Sequence, residues 1–370
     1  MQVYCQPYVS AFGRGRNNAP IFALVCVVAI NVNYNNRVQS MKRTLLSLMA
    51  TALMSATALA ADVKPAILFD LGGKFDKSFN EAAFNGATKF KEETGVDFRE
   101  FEISNDAQRE QALRRFARDG NNPIVMAGFS WAGALDKVAA DYPETDFAII
   151  DMVVDQPNVR STVFKQHEGS YLVGMMAALA SKTGTVSFVG GMDIPLIRSF
   201  ACGYVGGAKA ANPDIKIIET MTGTTPEAWN NQTKGAEITK SQVDQGSDVV
   251  FQAAGGTGIA VLQTAADSGI LGIGVDSNQN GMHPGSVLTS MLKRVDVAVY
   301  NAFMDANKGE FSYGFSVLGL ESGGVGYSMD ENNASLVSAD MEATIEAAKA
   351  DIISGKVTVH DYMSDNNCPY

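Results

Sequence analysis

Short apolar runs and longer amphipathic runs alternate along most of the chain. Residues 66–71 and 146–151 have the length and apolar character of buried strands. Residues 79–94 place apolar side chains at helical spacing, and Gly95 follows where a helix would end. Strands that alternate with helices predict parallel sheets covered by helices.

The alternation runs through the chain twice. The first series predicts strands at 66–71, 96–103, 123–127 and 146–151, with helices at 79–94, 106–119 and 131–142. The second predicts strands at 185–190, 215–221, 248–253 and 271–275, with helices at 169–182, 197–212, 231–245 and 258–268. Two similar α/β halves are therefore expected, with 287–291 able to run back toward the first half.

Polar or glycine-rich clusters follow the strands of both halves. They lie at 70–73, at Asp151, at 254–258 and at 276–280. In parallel sheets, ligands bind outside the carboxyl ends of the strands. A ligand-binding cleft between two lobes is therefore expected.

The stretch GVDSNQNG at 274–281 resembles the start of a calcium-binding EF-hand loop. Such a loop needs a glutamate at its twelfth position, but counting from Asp276 that position is Val287, and Pro284 falls inside the loop. The preceding run is apolar and strand-like. Asp276 is therefore expected to end a buried strand beside a ligand.

The glycines at 255, 256 and 258 follow a predicted strand and open a predicted helix. A dinucleotide loop started at Gly256 needs Gly or Ala at 261, where Val261 stands. The amides could instead donate to a polar ligand, or the segment could be only a tight turn. These two interpretations stay open here.

Few residues support bond-breaking chemistry. The three histidines, His167, His283 and His360, are far apart in the sequence, and no Gly-x-Ser-x-Gly motif or metal-ligand spacing occurs. Asp70 and Asp276 could face each other as the carboxylate pair of a glycosidase or nucleoside hydrolase. That alternative stays open, but no metal or cofactor is expected.

Aromatic residues stand just past strand ends or at helix starts: Phe79, Phe129, Trp131, Phe200 and Trp229. Such rings could stack on a flat ligand, although each alone is more often part of a core. Acids near these rings suit a neutral ligand rich in hydrogen-bond donors, such as a nucleoside or a sugar.

The first sixty residues differ from the rest of the chain. They hold five Lys or Arg and no acid, and 41–60 has the basic start, apolar middle and Ala-x-Ala end of a secretory signal peptide. Residues 1–40 are then expected to be an upstream extension or the result of a misplaced gene start. The competing apolar run at 21–32 is too short for a membrane span, and no Cys stands directly after the small residues near position 60, where a lipid would be attached.

The predicted mature chain is strongly acidic. Without the five basic residues, 24 Lys and Arg stand against 40 Asp and Glu, a net charge of −16. Such a surface disfavours nucleic acid and anionic lipid as partners. The region keeps two cysteines, Cys202 and Cys368, which could form a disulfide in an oxidising compartment or stay separate thiols.

Six separated blocks resemble the BMP family, the basic-membrane-protein or PnrA-like substrate-binding proteins of ABC transporters. Residues 70–80, DLGGKFDKSFN, resemble its D-x-G-G-x-x-D-x-S-F-N opening, and 168–174, EGSYLVG, its E-G-S-x-L-x-G segment. Residues 189–200, 253–258, 274–279 and 288–296 resemble its later segments in the same order. The resemblance covers about 64–320.

The resemblance implies a type I periplasmic-binding-protein fold, in which two Rossmann-like lobes with parallel central sheets are joined by a hinge of crossing segments. The expected lobes are 62–166 plus about 292–318, and 167–291 plus about 319–370. The lobes would close on a purine nucleoside such as adenosine, guanosine or inosine. An ABC permease in the inner membrane would be the partner.

The resemblance also implies a role for each candidate residue. Phe79 and Phe200 would sandwich the base, and Asp70 and Asn80 would read its edge. The ribose hydroxyls would be held by the backbone of Gly255 and Gly256 and by the side chains of Asp276 and Lys293. Asp151 and Trp229 are further candidates to line the pocket.

The chain departs from many family members in lacking the cysteine that carries a lipid. The expectation is therefore a monomer free in the periplasm that binds and releases a ligand without changing it. A sensor that signals to a membrane receptor, or a binding protein for a sugar or another small solute, would share these features.

Overall fold

The structure is a computed structural model. It describes residues 63–370, together with two short strands, β1 (Tyr4–Cys5) and β2 (Cys26–Val27), that pair antiparallel. The expected signal peptide at 41–60 lies outside the described residues, as does the upstream extension at 1–40 apart from these two strands. Both stay predictions.

Strands and helices alternate through residues 63–370. The strands are β3 (Ala66–Phe69), β4 (Arg99–Glu102), β5 (Ile124–Ala127), β6 (Phe147–Ile150), β7 (Val159–Phe164), β8 (Thr185–Met192), β9 (Lys216–Gly223), β10 (Val249–Ala253), β11 (Leu271–Asp276), β12 (Val287–Lys293), β13 (Gly314–Leu318) and β14 (Val325–Tyr327). The helices are α1 (Phe79–Thr94), α2 (Arg109–Arg118), α3 (Ala132–Asp141), α4 (Gln166–Ala180), α5 (Pro195–Ala211), α6 (Gln232–Asp244), α7 (Thr257–Asp267), α8 (Val295–Lys308) and α9 (Ala339–Ile353).

Two six-stranded sheets form the centres of two lobes. The first has the order β13-β7-β6-β5-β3-β4 and is parallel throughout. The second has the order β14-β12-β11-β10-β8-β9 and is parallel except for β14, which pairs antiparallel with β12. The two sheets therefore repeat one strand order, which brings the carboxyl ends of equivalent strands to equivalent places.

Helices cover both faces of the first sheet. Ile67 and Phe69 of β3 pack in one core cluster with Phe90 of α1, whereas the alternate residue Leu68 packs with Leu113 of α2 on the other face. This alternation follows from the period of two along a strand. Burial on both faces explains why the strands read as continuous apolar runs.

Three crossings join the lobes side by side. They run from β7 to α4, from β12 to α8 and from β13 to β14. The Lys165 amide donates to the Leu318 carbonyl at 2.9 Å, and the Arg294 amide donates to the Gly324 carbonyl at 2.9 Å. Backbone hydrogen bonds therefore tie each crossing to a neighbour.

The structure corrects one expected path and adds elements. Residues 287–291 do not return to the first half, because β12 pairs with β11 in the second sheet. The return is made by α8, which packs on α1 so closely that a Cβ on Gly86 would lie 2.1 Å from the Asp296 carbonyl oxygen. No element was predicted for β7, β13, β14, α8 or α9. The lobe boundaries themselves stay a prediction.

A disulfide joins α5 to the end of the chain. Cys202 and Cys368 are bonded, with their Cα atoms 5.6 Å apart. Ser199, on the same helix, donates from Oγ to Asp361 at 3.0 Å. The C-terminal segment is therefore fixed to the helix that also carries Phe200.

None of the helices within residues 63–370 combines the length and the apolar character needed to cross a membrane.

Candidate functional site

A cavity of about 610 Å³ lies between the lobes at the carboxyl ends of the strands. This volume includes solvent at the open mouth of the cavity. The candidate residues on its wall are Asp70, Phe79, Asn80, Asp151, Phe200, Trp229, Gly255, Asp276 and Lys293. Gly256 is the one candidate that is not on the wall.

The wall also holds Phe129, one of the aromatic residues noted in the sequence, and several residues that the sequence reasoning did not select: Leu71, Asp76, Gly128, Leu196, Ile197, Ala253 and Val275. Asp76 stands inside the DLGGKFDKSFN stretch, so the resemblance carried a signal for it. The apolar residues gave no such signal, because an apolar residue after a strand looks the same in a core as in a pocket.

Both lobes supply aromatic side chains to the cavity. Phe79 begins α1 in the first lobe, and Phe200 lies on α5 in the second. The Trp229 ring lies against the backbone of Gly191, where an added Cβ would be only 2.2 Å from the ring. Trp131 is instead fully buried in the core of the first lobe.

Asp70 is held by an arginine behind the cavity wall. Its Oδ1 accepts from Arg109 Nη2 at 2.7 Å and from the Leu71 amide at 2.7 Å. The Arg109 guanidinium is buried and lies 5.0 Å from the centre of the Trp131 ring. These bonds engage Oδ1 and fix the orientation of the carboxylate.

The Asn80 amide group shapes the loop that carries Asp70. Its Nδ2 donates to the carbonyls of Asp70 and Gly73, both at 3.1 Å, and its Oδ1 accepts from the Asp70 amide at 3.3 Å. Both amide hydrogens are thus engaged within the loop. Direct reading of a base by Asn80 stays a prediction.

Asp76 caps the start of α1. Its carboxylate accepts from the amides of Ser78 at 2.8 Å, Asn80 at 3.0 Å and Glu81 at 3.1 Å. Burial nevertheless raises the pKa of Asp76 to about 7, against the opposing effect of these bonds. The cap sets the position of Phe79, the first residue of the helix.

Lys293 and Asp151 form an ion pair inside the cavity. Lys293 Nζ lies 2.6 Å from Asp151 Oδ2, and the lysine is only 2% exposed. The ammonium also lies 5.3 Å, 5.2 Å and 5.4 Å from the ring centres of Phe79, Phe164 and Phe200. The lysine thus joins the two lobes, because β12 carries it and Asp151 follows β6.

Asp276 ends β11 in a left-handed conformation, with φ 62°. Its Oδ2 accepts a hydrogen bond from the Ser78 hydroxyl of the other lobe. Burial raises the pKa of Asp276 to about 6, while the Lys293 charge and the Ser78 bond lower it. This carboxylate therefore changes charge close to neutral pH.

The cavity can bind a ligand without covalent chemistry. It offers carboxylate acceptors, one ammonium and flat rings, which together suit a flat and polar molecule. Among residues 63–370, no cluster of three or more His, Cys, Asp or Glu is placed to hold a metal ion. The fold and cavity thus define a two-lobed small-molecule binding protein.

Comparisons with known proteins narrow this class. The family of PnrA-like ABC transporter substrate-binding proteins matches residues 64–361. A CD4+ T-cell-stimulating antigen of Listeria monocytogenes is 34% identical over 80% of this chain and 88% of its own length. An ABC transporter nucleoside-binding protein, BmpA, of Lactococcus lactis is 31% identical over 86% of this chain and 99% of its own.

A solved structure agrees. An ABC transporter solute-binding protein of Aeropyrum pernix is 31% identical, with a TM-score of 0.75 over 81% of this chain and 93% of that one. The chain belongs to the Bmp family of PnrA-like ABC transporter substrate-binding proteins. The expected type I periplasmic-binding fold is thereby confirmed.

Family membership settles the general activity. The protein binds a small molecule on the outer side of the membrane, works with a membrane permease and is not an enzyme. The glycosidase and hydrolase alternatives are thus removed.

Proposed function

We propose that the protein captures a purine nucleoside between its lobes and delivers it to an ABC permease. The observation that carries the proposal is the composition of one cavity wall, which holds Phe79 from one lobe, Phe200 from the other, and carboxylates at the ends of strands from both lobes. The relative of Lactococcus lactis named as a nucleoside-binding protein supports the same ligand class.

The two phenylalanines would stack on the base. Stacking on an aromatic ring contributes about 1–3 kcal/mol per base in nucleic-acid sites, and two rings on opposite lobes would couple stacking to closure. A flat base fits such a slot, whereas a bare sugar would leave one ring without a planar partner.

The carboxylates would accept hydrogen bonds from the N–H and O–H groups of the ligand. Asp70, with Oδ1 held by Arg109, would present Oδ2 to N–H groups on the base edge, beside Asn80. Asp276 would accept from the ribose hydroxyls, with the amides of Gly255 and Gly256 donating nearby. Charge-assisted bonds of this kind strengthen when closure excludes water.

Lys293 would act beside Asp276 at the ribose. Its ammonium is bonded to Asp151, so the lysine would supply a second donated hydrogen to a ribose oxygen while keeping that ion pair. Asp151 would orient the lysine, and Trp229 would close one wall.

Calorimetry with a panel of purine nucleosides tests the ligand. We expect adenosine, guanosine or inosine to bind with a dissociation constant well below millimolar and a stoichiometry of one. A panel in which no purine nucleoside binds more tightly than millimolar would remove the assignment. Sugars and pyrimidine nucleosides in the same panel identify the other solute classes.

We also propose that residues 41–60 direct export and that the released protein is a periplasmic monomer. The basic start and Ala-x-Ala end of this segment support the first point. Light scattering of the purified mature chain, and N-terminal sequencing for a start near Ala61, test the two points separately.

A further inference from the structure

The lobes also contact each other directly at one edge of the cavity. Ser78 of the first lobe donates from its hydroxyl to Asp276. In the opposite sense, the Ser277 hydroxyl donates to the Ser78 carbonyl at 3.2 Å, and Gln279 Nε2 donates to the Lys77 carbonyl at 2.9 Å. We call these five residues the clasp.

Gln279 is fixed in place before it reaches the other lobe. Its Oε1 accepts from Gln252 Nε2 at 2.8 Å and from the Val275 amide at 2.9 Å, and the side chain is 2% exposed. Only its Nε2 is directed across the cleft. A glutamine held in this way reaches its acceptor with little loss of side-chain freedom.

Two glycines make room for this pair of glutamines. A Cβ on Gly274 would lie 2.6 Å from Gln279 Oε1, and one on Gly258 would lie 2.0 Å from Gln252 Oε1. Both glycines therefore leave space for the two glutamine side chains, one of which belongs to the clasp and one of which holds it in place.

The first lobe presents backbone rather than side chain. Lys77 has φ 61°, a left-handed conformation that a residue with a Cβ rarely adopts, and its ammonium points away to Glu81 at 3.1 Å. The Asp76 carboxylate holds the next amide, that of Ser78. The Lys77 and Ser78 carbonyls are thus aimed at the second lobe.

The three clasp bonds join residues that stand 198, 199 and 202 positions apart in the chain and lie in different lobes. Opening the cleft breaks them without disturbing either core, so their free energy favours closure and not the fold of one lobe. The simpler interpretation, that they only satisfy nearby polar atoms, leaves unexplained why a strained backbone and two glycines serve them.

We propose that Ser277 and Gln279 are positioning residues that hold the lobes closed independently of which ligand is bound. Since the apparent affinity of a closing protein scales with the population of its closed form, the clasp sets affinity for all ligands by a common factor. It also sets how long the loaded form survives before release.

Stopped-flow kinetics of Gln279→Glu and Ser277→Ala with guanosine and with guanine test the proposal. Gln279→Glu keeps the acceptor oxygens but removes the N–H donated to Lys77. We expect dissociation to quicken about tenfold for Gln279→Glu and about threefold for Ser277→Ala, the effect of losing one hydrogen bond. Association rates should stay within twofold.

Ser354→Ala is the matched control, because that hydroxyl donates only to the nearby Asp351 carbonyl at 3.2 Å, far along the chain from the cavity. It should leave both rates unchanged. A faster dissociation confined to guanosine would identify a ligand contact and overturn the clasp, as would unchanged rates in both variants. If Gln279→Glu does not fold, Ser277→Ala decides alone.

A ligand-independent measurement separates this proposal from the nucleoside assignment. Fluorophores are attached to Lys137→Cys and Lys240→Cys, one exposed position in each lobe. Energy transfer between the two fluorophores, measured in single molecules, then reports closure of the lobes. The closed lifetime should shorten by the same factors as above. If no nucleoside or base binds the wild type, the ligand assignment fails and this lifetime alone decides; an unchanged lifetime overturns the clasp.

Discussion

Asp151 and Asp276 occupy the same place in the two lobes and differ in their surroundings. Asp151 directly follows β6 and Asp276 ends β11, which are the third strands of their sheets; their φ angles are left-handed, 71° and 62°, and each residue is 8% exposed. The Asp151 carboxylate is paired with the Lys293 ammonium at 2.6 Å, whereas the Asp276 carboxylate accepts a hydrogen bond from the neutral hydroxyl of Ser78.

The difference arises from one lysine that serves the opposite lobe. Lys293 ends β12, next to β11, yet its ammonium bonds the aspartate of the first lobe. Asp151 is therefore a fixed counter-ion. Asp276 has only a longer-range electrostatic interaction with Lys293, which lowers its pKa. Burial raises the pKa more strongly, and the result is a pKa of about 6. Equal backbone positions thus hold one acid bonded to an ammonium and one acid, bonded to a hydroxyl, whose pKa is raised.

Removing the lysine should have the largest effect. Lys293→Met leaves Asp151 buried without its cation, and breaking a buried pair in this way costs about 3–5 kcal/mol of the free energy of unfolding. Urea denaturation measures the loss, with exposed Lys137→Met as control. The double variant Lys293→Met, Asp151→Asn should recover most of the loss; a single variant within about 1 kcal/mol of wild type would contradict the pairing.

The pH dependence of stability should come next in size. The pKa of Asp276 is about 6 in the folded protein and about 3.9 in an unfolded chain. The folded state then binds the proton more tightly, so stability falls as pH rises from about 4 to 6, by up to roughly 3 kcal/mol. Above pH 6 the loss is complete.

Asp276→Asn should remove this slope. The variant is expected to match the wild type near pH 4 and to exceed it in free energy of unfolding at pH 7, as measured by urea denaturation at several pH values. Asp76, whose pKa is also raised, mainly by burial, keeps a slope of its own in both proteins, and in the variant it loses only the small part of that rise that comes from the Asp276 charge. Parallel curves for the two proteins would show that Asp276 is ionised throughout.

The smallest effect concerns ligand choice. Asp276→Ala should weaken the binding of guanosine by about 1.5–3 kcal/mol, because the hydrogen bonds between the ribose hydroxyls and a charged acceptor are lost. Guanine has no ribose, so its binding should weaken only by the part that comes from losing the Ser78–Asp276 hydrogen bond between the lobes. Calorimetry with both ligands gives the ratio, and equal losses would remove the ribose role from Asp276.

Sequence periodicity predicted the elements that bury one clear face. The helix at 79–94 has the same bounds as α1, because its apolar spacing and terminal Gly95 are both strong signals. The strand β13 was missed because most of it is exposed and it lies at an edge of its sheet. The strand β7 was missed because its polar residues Ser161 and Thr162 are buried and break the apolar run.

The site could be located from the sequence, but its pairings could not. Strand ends and the family resemblance selected residues that meet at one cavity. Asp70 is paired with Arg109, which stands 39 positions away in the sequence, and Lys293 is paired with Asp151, which stands 142 positions away. Many other acids could have paired with either cation. The packing of α2 beside β3 within the first lobe decides the Arg109 pairing, and the packing of the two lobes decides the Lys293 pairing.

The disulfide has a consequence for the survival of a cut chain. Cys202 and Cys368 stand 166 positions apart in the sequence, and the segment between them includes β9 to β14 and the crossings after β12 and β13. A protease that cleaves once in an exposed connection of this ring, such as the segment between α8 and β13, leaves the two fragments covalently joined. Such a nicked molecule would migrate as one species on a gel until a reductant separates its pieces.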